Sequence, residues 1–163
     1  MNGADTHMIN ANEVLNTAKN AFCVVCTSPC NGACYKDTAL EAAYEELSKA
    51  DAIVIGSPVY YGTVSAQLKA FFDKSSVYRR KKAFFSTPCG IVTCAHSRFG
   101  GQETTIKTIH DMCLVQGMTI VGDGFDDCGH HGVCAVAPSI DDKSAIDRAK
   151  ALAQRLIMEA NKQ

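Results

Sequence analysis

The sequence predicts an α/β domain, a parallel sheet with helices on both faces. Three observations carry that expectation. Residues 52–55 (AIVI), 90–95 (GIVTCA) and 118–121 (MTIV) are short apolar runs rich in β-branched residues, the kind that fills strands buried on both sides. Around them apolar residues recur at helical spacing, with polar residues between. The two patterns alternate along the chain, as connected strand–helix units do.

Taken in order, residues 6–11 (THMINA) suit a short strand, and residues 12–20 are polar and unassigned. Residues 22–36 hold four cysteines with Pro29 and Gly32 and read as an irregular loop. Thr38 and Glu41 have capping-box spacing and open a helix whose inward face is Leu40, Tyr44 and Leu47. The 52–55 strand leads into a loop, GSPVYYGT, and then a helix from Val64 with Val64, Leu68, Phe71 and Phe72 at helical spacing. Arg79, Arg80, Lys81 and Lys82 form a solvated connection. The 90–95 strand is followed by the loop HSRFGG and a helix over 102–116 with Ile106, Ile109 and Cys113 on one face, closed by Gly117. After the 118–121 strand, residues 122–137 read as loop. A last helix over about 141–160 presents Ile146, Ala149, Ala153, Leu156 and Ile157. With no internal repeat, the 163 residues are expected to form one domain.

A net charge of −1 gives no electrostatic attraction to nucleic acid or an anionic membrane. No run of about 18 apolar residues is present to span a bilayer. The segment MNGADTHMINANEV lacks the basic and apolar regions of a signal peptide, so a cytoplasmic protein is expected. In that setting nine cysteines are buried thiols, metal ligands or redox groups rather than a disulfide framework.

In a parallel sheet the ligand site lies outside the carboxyl ends of the strands. SPVYYGT follows one strand and TCAHSRFGGQETT another. Gly100 and Gly101 would let backbone N–H groups approach a planar, oxygen-rich ligand, beside the positive end of the following helix. Tyr60 and Tyr61 offer rings to lie against it, although glycines and tyrosines in such places also serve as turn residues and packing.

GSPVYYGTVSAQLKAFFDK, then GGQETT, GMTIVG, HHGVCAVAP and the closing DDKSAIDRAKALAQRL resemble the NADPH-dependent FMN reductase and iron–sulfur flavoprotein branch of the flavodoxin-like superfamily. The resemblance implies a flavodoxin-like three-layer sandwich with strand order 2-1-3-4-5 and FMN at the switch point. Pro58, Val59, Tyr60, Tyr61 and Gly62 would border one side of the flavin ring, and Thr93, Cys94, Ala95, Gly100, Gly101 and Gln102 the other. No side-chain acid or base is needed for the flavin's chemistry, and none is assigned. The family's first strand and its phosphate-binding loop have no counterpart here: the chain is expected to open at the segment following the family's first helix.

Cys23, Cys26, Cys30 and Cys34 have the spacing C-x2-C-x3-C-x3-C. Four thiolates so close on one loop can wrap a 4Fe–4S cluster, and the resemblance puts a compact four-cysteine motif in the equivalent place. Zinc is the rival, although structural zinc usually takes two C-x2-C knuckles, and plain structural thiols are the third reading. Cys89 and Cys113 suit packing, Cys94 packing or the flavin ring. Cys128, His130, His131 and Cys134 invite a metal reading, but the resemblance makes them part of a loop after the fifth strand.

The function these readings imply is an FMN-dependent oxidoreductase. It would take electrons from a reduced nicotinamide or a ferredoxin-type donor and pass them to a small-molecule or protein acceptor, in a homo-oligomer. The alternative is a non-catalytic flavodoxin-like module with weak or no FMN binding.

Overall fold

The computed structural model describes residues 3–124 and 129–162, and these gather into two compact units: 51–65 with 85–124 and 129–162, and 3–50 with 66–84. In chain order the elements are α1 (Ala11–Leu15), α2 (Ala39–Leu47), β1 (Ile53–Pro58), α3 (Ala66–Lys74), α4 (Ser76–Arg80), β2 (Pro88–Ala95), α5 (Gln102–Gln116), β3 (Thr119–Ile120), β4 (Val133–Val136), a 3₁₀ turn (Ser139–Asp141) and α6 (Lys143–Ala160). No helix among the described residues is long and apolar enough to cross a membrane.

The first unit is built on β2. One edge of β2 pairs in parallel with β1, from Ile53 opposite Cys89 to Pro58 opposite Cys94. The other edge is shared by β3, at Pro88 and Cys89, and β4, at Val92 to Ala95. Both are parallel to β2, so β3 and β4 occupy one strand position interrupted by an excursion of the chain. The described sheet thus has all-parallel strands in three positions, fewer than the five that the resemblance implied.

Alternate residues of β2 face opposite helices. Val92 and Cys94 pack with Val133, Ala135, Leu152 and Leu156, the core under α6. On the other face the Thr93 hydroxyl donates to the Gln102 carbonyl, and Cys89 is hydrogen-bonded by Cys113 of α5. That bond, with burial, holds the Cys113 thiol protonated far above the usual thiol range. The sheet therefore lies between α5 and α6, which is the layered α/β architecture expected. Both thiols are fully buried, in keeping with the packing role.

Several boundaries differ from expectation. Residues 6–11 form no strand: Asn10 caps α1, its side chain accepting from the Asn12 and Glu13 amides. β1 continues through Gly56, Ser57 and Pro58, and its burial alternates, with Ile53, Ile55 and Ser57 buried but Val54 57% exposed. It is covered on one face only. β4 lies inside the stretch read as loop, a four-residue strand too short for periodicity to mark. In α6 Leu156 is buried and Ala149 packs on the core as the spacing implies, but Ala145 and Leu152 are buried in place of Ile146 and Ala153, and Ala153 is exposed.

The second unit is held by aromatic rings. Tyr44 on α2 meets Tyr35 at 5.4 Å, Phe71 at 4.7 Å and Tyr78 at 5.0 Å between centroids, and its hydroxyl donates to the Phe71 carbonyl. The capping box does not form: no side-chain hydrogen bond caps α2, because the Thr38 hydroxyl donates back to the Tyr35 carbonyl while the Glu41 carboxylate accepts from the Asp37 amide. The helix expected from Val64 begins at Ala66; Arg79, Arg80, Lys81 and Lys82 are all exposed, as expected of a solvated connection, the first two of them within the short helix α4.

Candidate functional site

The loops that leave β1 and β2 both belong to the first unit. Val59 remains tied to the sheet, its amide donating to the Cys94 carbonyl at 2.9 Å. Tyr60 to Thr63 then make a tight turn closed by reciprocal backbone hydrogen bonds, with Tyr61 at φ +50° and Gly62 at φ +76°. Two successive positive φ values are the mark of a type I′ turn, which glycine enters freely and tyrosine does not. The turn holds the Tyr60 and Tyr61 rings out in solvent, Tyr61 wholly so.

The second loop, residues 96–101, is exposed up to Phe99, whose ring is 95% accessible. Its far end is pinned by Gln102, which is buried: the side-chain amide donates to the carbonyls of Ser97 at 2.7 Å and Ala135 at 3.2 Å and accepts from the Gly100 amide at 3.0 Å. α5 starts here, so its unpaired first-turn N–H groups and positive dipole end open toward this loop. The two loops touch. A Cβ on Gly101, at φ +96°, would stand 3.0 Å from the Gly62 Cα, and one on Gly100 would stand 2.6 Å from the Ala95 Cβ. Both glycines are thus required by the chain's own packing, a tighter demand than the ligand approach inferred from the sequence.

The structure therefore brings Pro58, Val59, Tyr60, Tyr61, Gly62, Ala95, Gly100 and Gly101 to one end of the sheet. Thr93 is buried within it, its hydroxyl donating to Gln102 and Val133 carbonyls, and Cys94 packs against the α6 core. Gln102 has its side chain engaged in holding the loop. Phe99 is a further aromatic of this rim, which nothing in its local sequence pattern separates from other loop residues.

The cysteine loop belongs to the second unit. Cys23, Cys26, Cys30 and Cys34 line one cavity of about 310 Å³ together with Lys74 and Arg80. Among the described residues no group of three or more His, Cys, Asp or Glu side chains is arranged to hold a metal ion. The Arg80 guanidinium donates to the Cys30 carbonyl and the Lys74 ammonium to the Cys34 sulfur at 3.6 Å. Burial, and next the charge of Cys30, pushes the Tyr35 phenol well above its ordinary range. Lys74 is 2% exposed, and no sequence signal marked it: in α3 it reads as one more polar helix position.

Of the third candidate group, Cys128 lies outside the described residues. Cys134 is raised by burial and next by the Glu103 charge, and His131 is lowered by burial and next by the His130 charge. Nearby, buried Asp123 pairs with Arg148 and accepts from the Gly132 amide, which ties the excursion between β3 and β4 to α6.

The family model of NADPH-dependent FMN reductases matches residues 1–126. The chain is 36% identical over 124 residues to the iron–sulfur flavoprotein of Methanosarcina thermophila, covering 76% of this chain and 63% of that one. It is 38% identical over 81 residues to an NAD(P)H dehydrogenase (quinone) of Geobacter sulfurreducens, covering 50% and 40%. The chain thus spans between two fifths and two thirds of these relatives' length. The fold is similar to that of a flavodoxin-type, WrbA-like protein from Agrobacterium tumefaciens, with a TM-score of 0.65 at 22% identity over 76% of this chain and 74% of the other.

Proposed function

The chain belongs to the NADPH-dependent FMN reductase family, and from that premise we propose that it is an FMN-dependent oxidoreductase drawing electrons from a reduced nicotinamide. The observation that carries the reading is the meeting of the two strand-end loops at Gly62 and Gly101, which forms one continuous rim where a parallel sheet takes its ligand. FMN, when bound, supplies the hydride and electron chemistry. The chain's part is to orient and tune. The exposed rings of Tyr60, Tyr61 and Phe99 are surfaces for a flat aromatic group, and the first turn of α5 offers N–H donors and positive potential to the negative charge that a reduced ring accumulates.

The four cysteines fit a 4Fe–4S cluster by number, by their shared cavity and by the cations beside them, and a relative at 36% identity is named an iron–sulfur flavoprotein. We read Cys23, Cys26, Cys30 and Cys34 as its ligands, with a ferredoxin-type protein or a small molecule as exchange partner. The two units are read as parts of one flavodoxin-like domain, since the family match runs through both. The resemblance also carries the expectation of a homo-oligomer.

One observation favours a second reading, a flavodoxin-like module without flavin: Gly100, Gly101 and Gln102 are all accounted for by internal packing and hydrogen bonds. Titration with FMN decides between them. The proposed enzyme quenches flavin fluorescence to a saturable end point and then oxidises NADPH or NADH with an added quinone. A protein that takes up no FMN overturns the first reading and leaves the second.

A further inference from the structure

Two buried polar groups, Lys74 in the lining of the cysteine cavity and Tyr35 packed against the loop that carries the cysteines, have placements the surrounding packing does not explain. Lys74 is 2% exposed, its ammonium donates to the Cys34 sulfur at 3.6 Å, and no carboxylate pairs with it among the described residues. A buried ammonium facing a neutral thiol is costly, whereas facing a thiolate it makes a charge-assisted hydrogen bond. The Tyr35 hydroxyl is buried with no hydrogen-bond partner, and its ring lies against Gly32 of the cysteine loop. Gly32 leaves it room: a Cβ there would stand 3.1 Å from that oxygen. A buried hydroxyl without a partner carries a desolvation cost that a sulfur acceptor would relieve.

We propose that Lys74 and Tyr35 are the positioning and tuning donors of the thiolate site, Lys74 supplying a positive charge at the Cys34 sulfur and Tyr35 an unengaged buried hydroxyl from within the same loop. The proposal rests on the cluster reading above. In that setting Lys74 sets the reduction potential, because one-electron reduction adds a negative charge next to a fixed buried cation, and net charge and hydrogen bonds to sulfur tune such clusters. Arg80 has a separate task, holding the loop through the Cys30 carbonyl.

The experiment is anaerobic reconstitution with ferrous iron and sulfide, then potentiometric titration with dithionite followed by electron paramagnetic resonance. In K74M the equilibrium constant for reduction falls at least tenfold, equivalent to about 59 mV for one electron. K74R stays with the wild type, and Y35F shifts in the same direction as K74M by less. If K74M takes up no iron while K74R loads, the charge is needed for loading and the proposal stands. K74M titrating with the wild type overturns it, as does K74R behaving as K74M. A wild type that retains no iron and no acid-labile sulfide overturns the cluster reading first, before any variant is compared, and the proposal with it.

Discussion

Tyr61 and Gly62 carry the chain through a turn with two positive φ angles, and Gly101, also at positive φ, fits against Gly62 with no space for a methyl group. Alanine at 101 must both hold φ +96° and open the loop contact, so G101A should cost roughly 1–3 kcal/mol of stability. Urea unfolding measures that cost, and FMN titration of the same variant should show weakened binding because the rim is displaced. His131 makes a second residue-scale prediction. Its ring nitrogens are buried without hydrogen-bond partners, and burial, then the His130 charge, lowers its proton affinity. The unfolded chain therefore binds the proton more readily, so the stability that neutral His131 contributes is present at neutral pH and is lost as pH falls below about 6.5, the ordinary histidine value. Unfolding curves between neutral pH and about pH 5 should steepen in that sense, and H131F should flatten the slope. An unchanged slope in H131F rejects the assignment. Neither residue's role was legible locally: a glycine pair and a histidine pair in the sequence say nothing about what stands opposite.

Helices α5 and α6 and strand β2 are where sequence and structure agree best, because long periodic segments bury a whole face and that face is written into the spacing. Agreement fails at the fine register. Leu152, absent from the face read in the sequence, is the residue α6 presses onto Gly90, where a Cβ would fall 2.8 Å from its Cδ1. G90A should cost about 1–3 kcal/mol through overpacking, and L152A about 2–5 kcal/mol through a cavity. If the contact is as close as described, the double variant should cost less than the sum, since the smaller side chain makes room for the added methyl group. Strict additivity in denaturant melts would contradict the packing. Short elements show the opposite balance. β3 and β4 have two and four residues and exist only because β2 offers hydrogen-bond partners, so their own sequence could not announce them.

At the scale of the whole chain, the two compact units divide the candidate chemistry: the strand-end loops lie in one and the cysteine loop in the other. The sequence by itself determined the α/β class, the helices with a full apolar face, the loops that follow the strands, and the family, because each of these depends on spacing and residue type within short stretches. Tertiary structure alone decided that β3 and β4 share one strand position, that Gly101 is required by Gly62, and that Lys74 is buried against Cys34, forty residues away in the chain. The physical reason is the same in each case. Burial, register and charge pairing are set by which distant residues meet, and a buried lysine at a thiol reads, one residue at a time, as any other lysine on a helix.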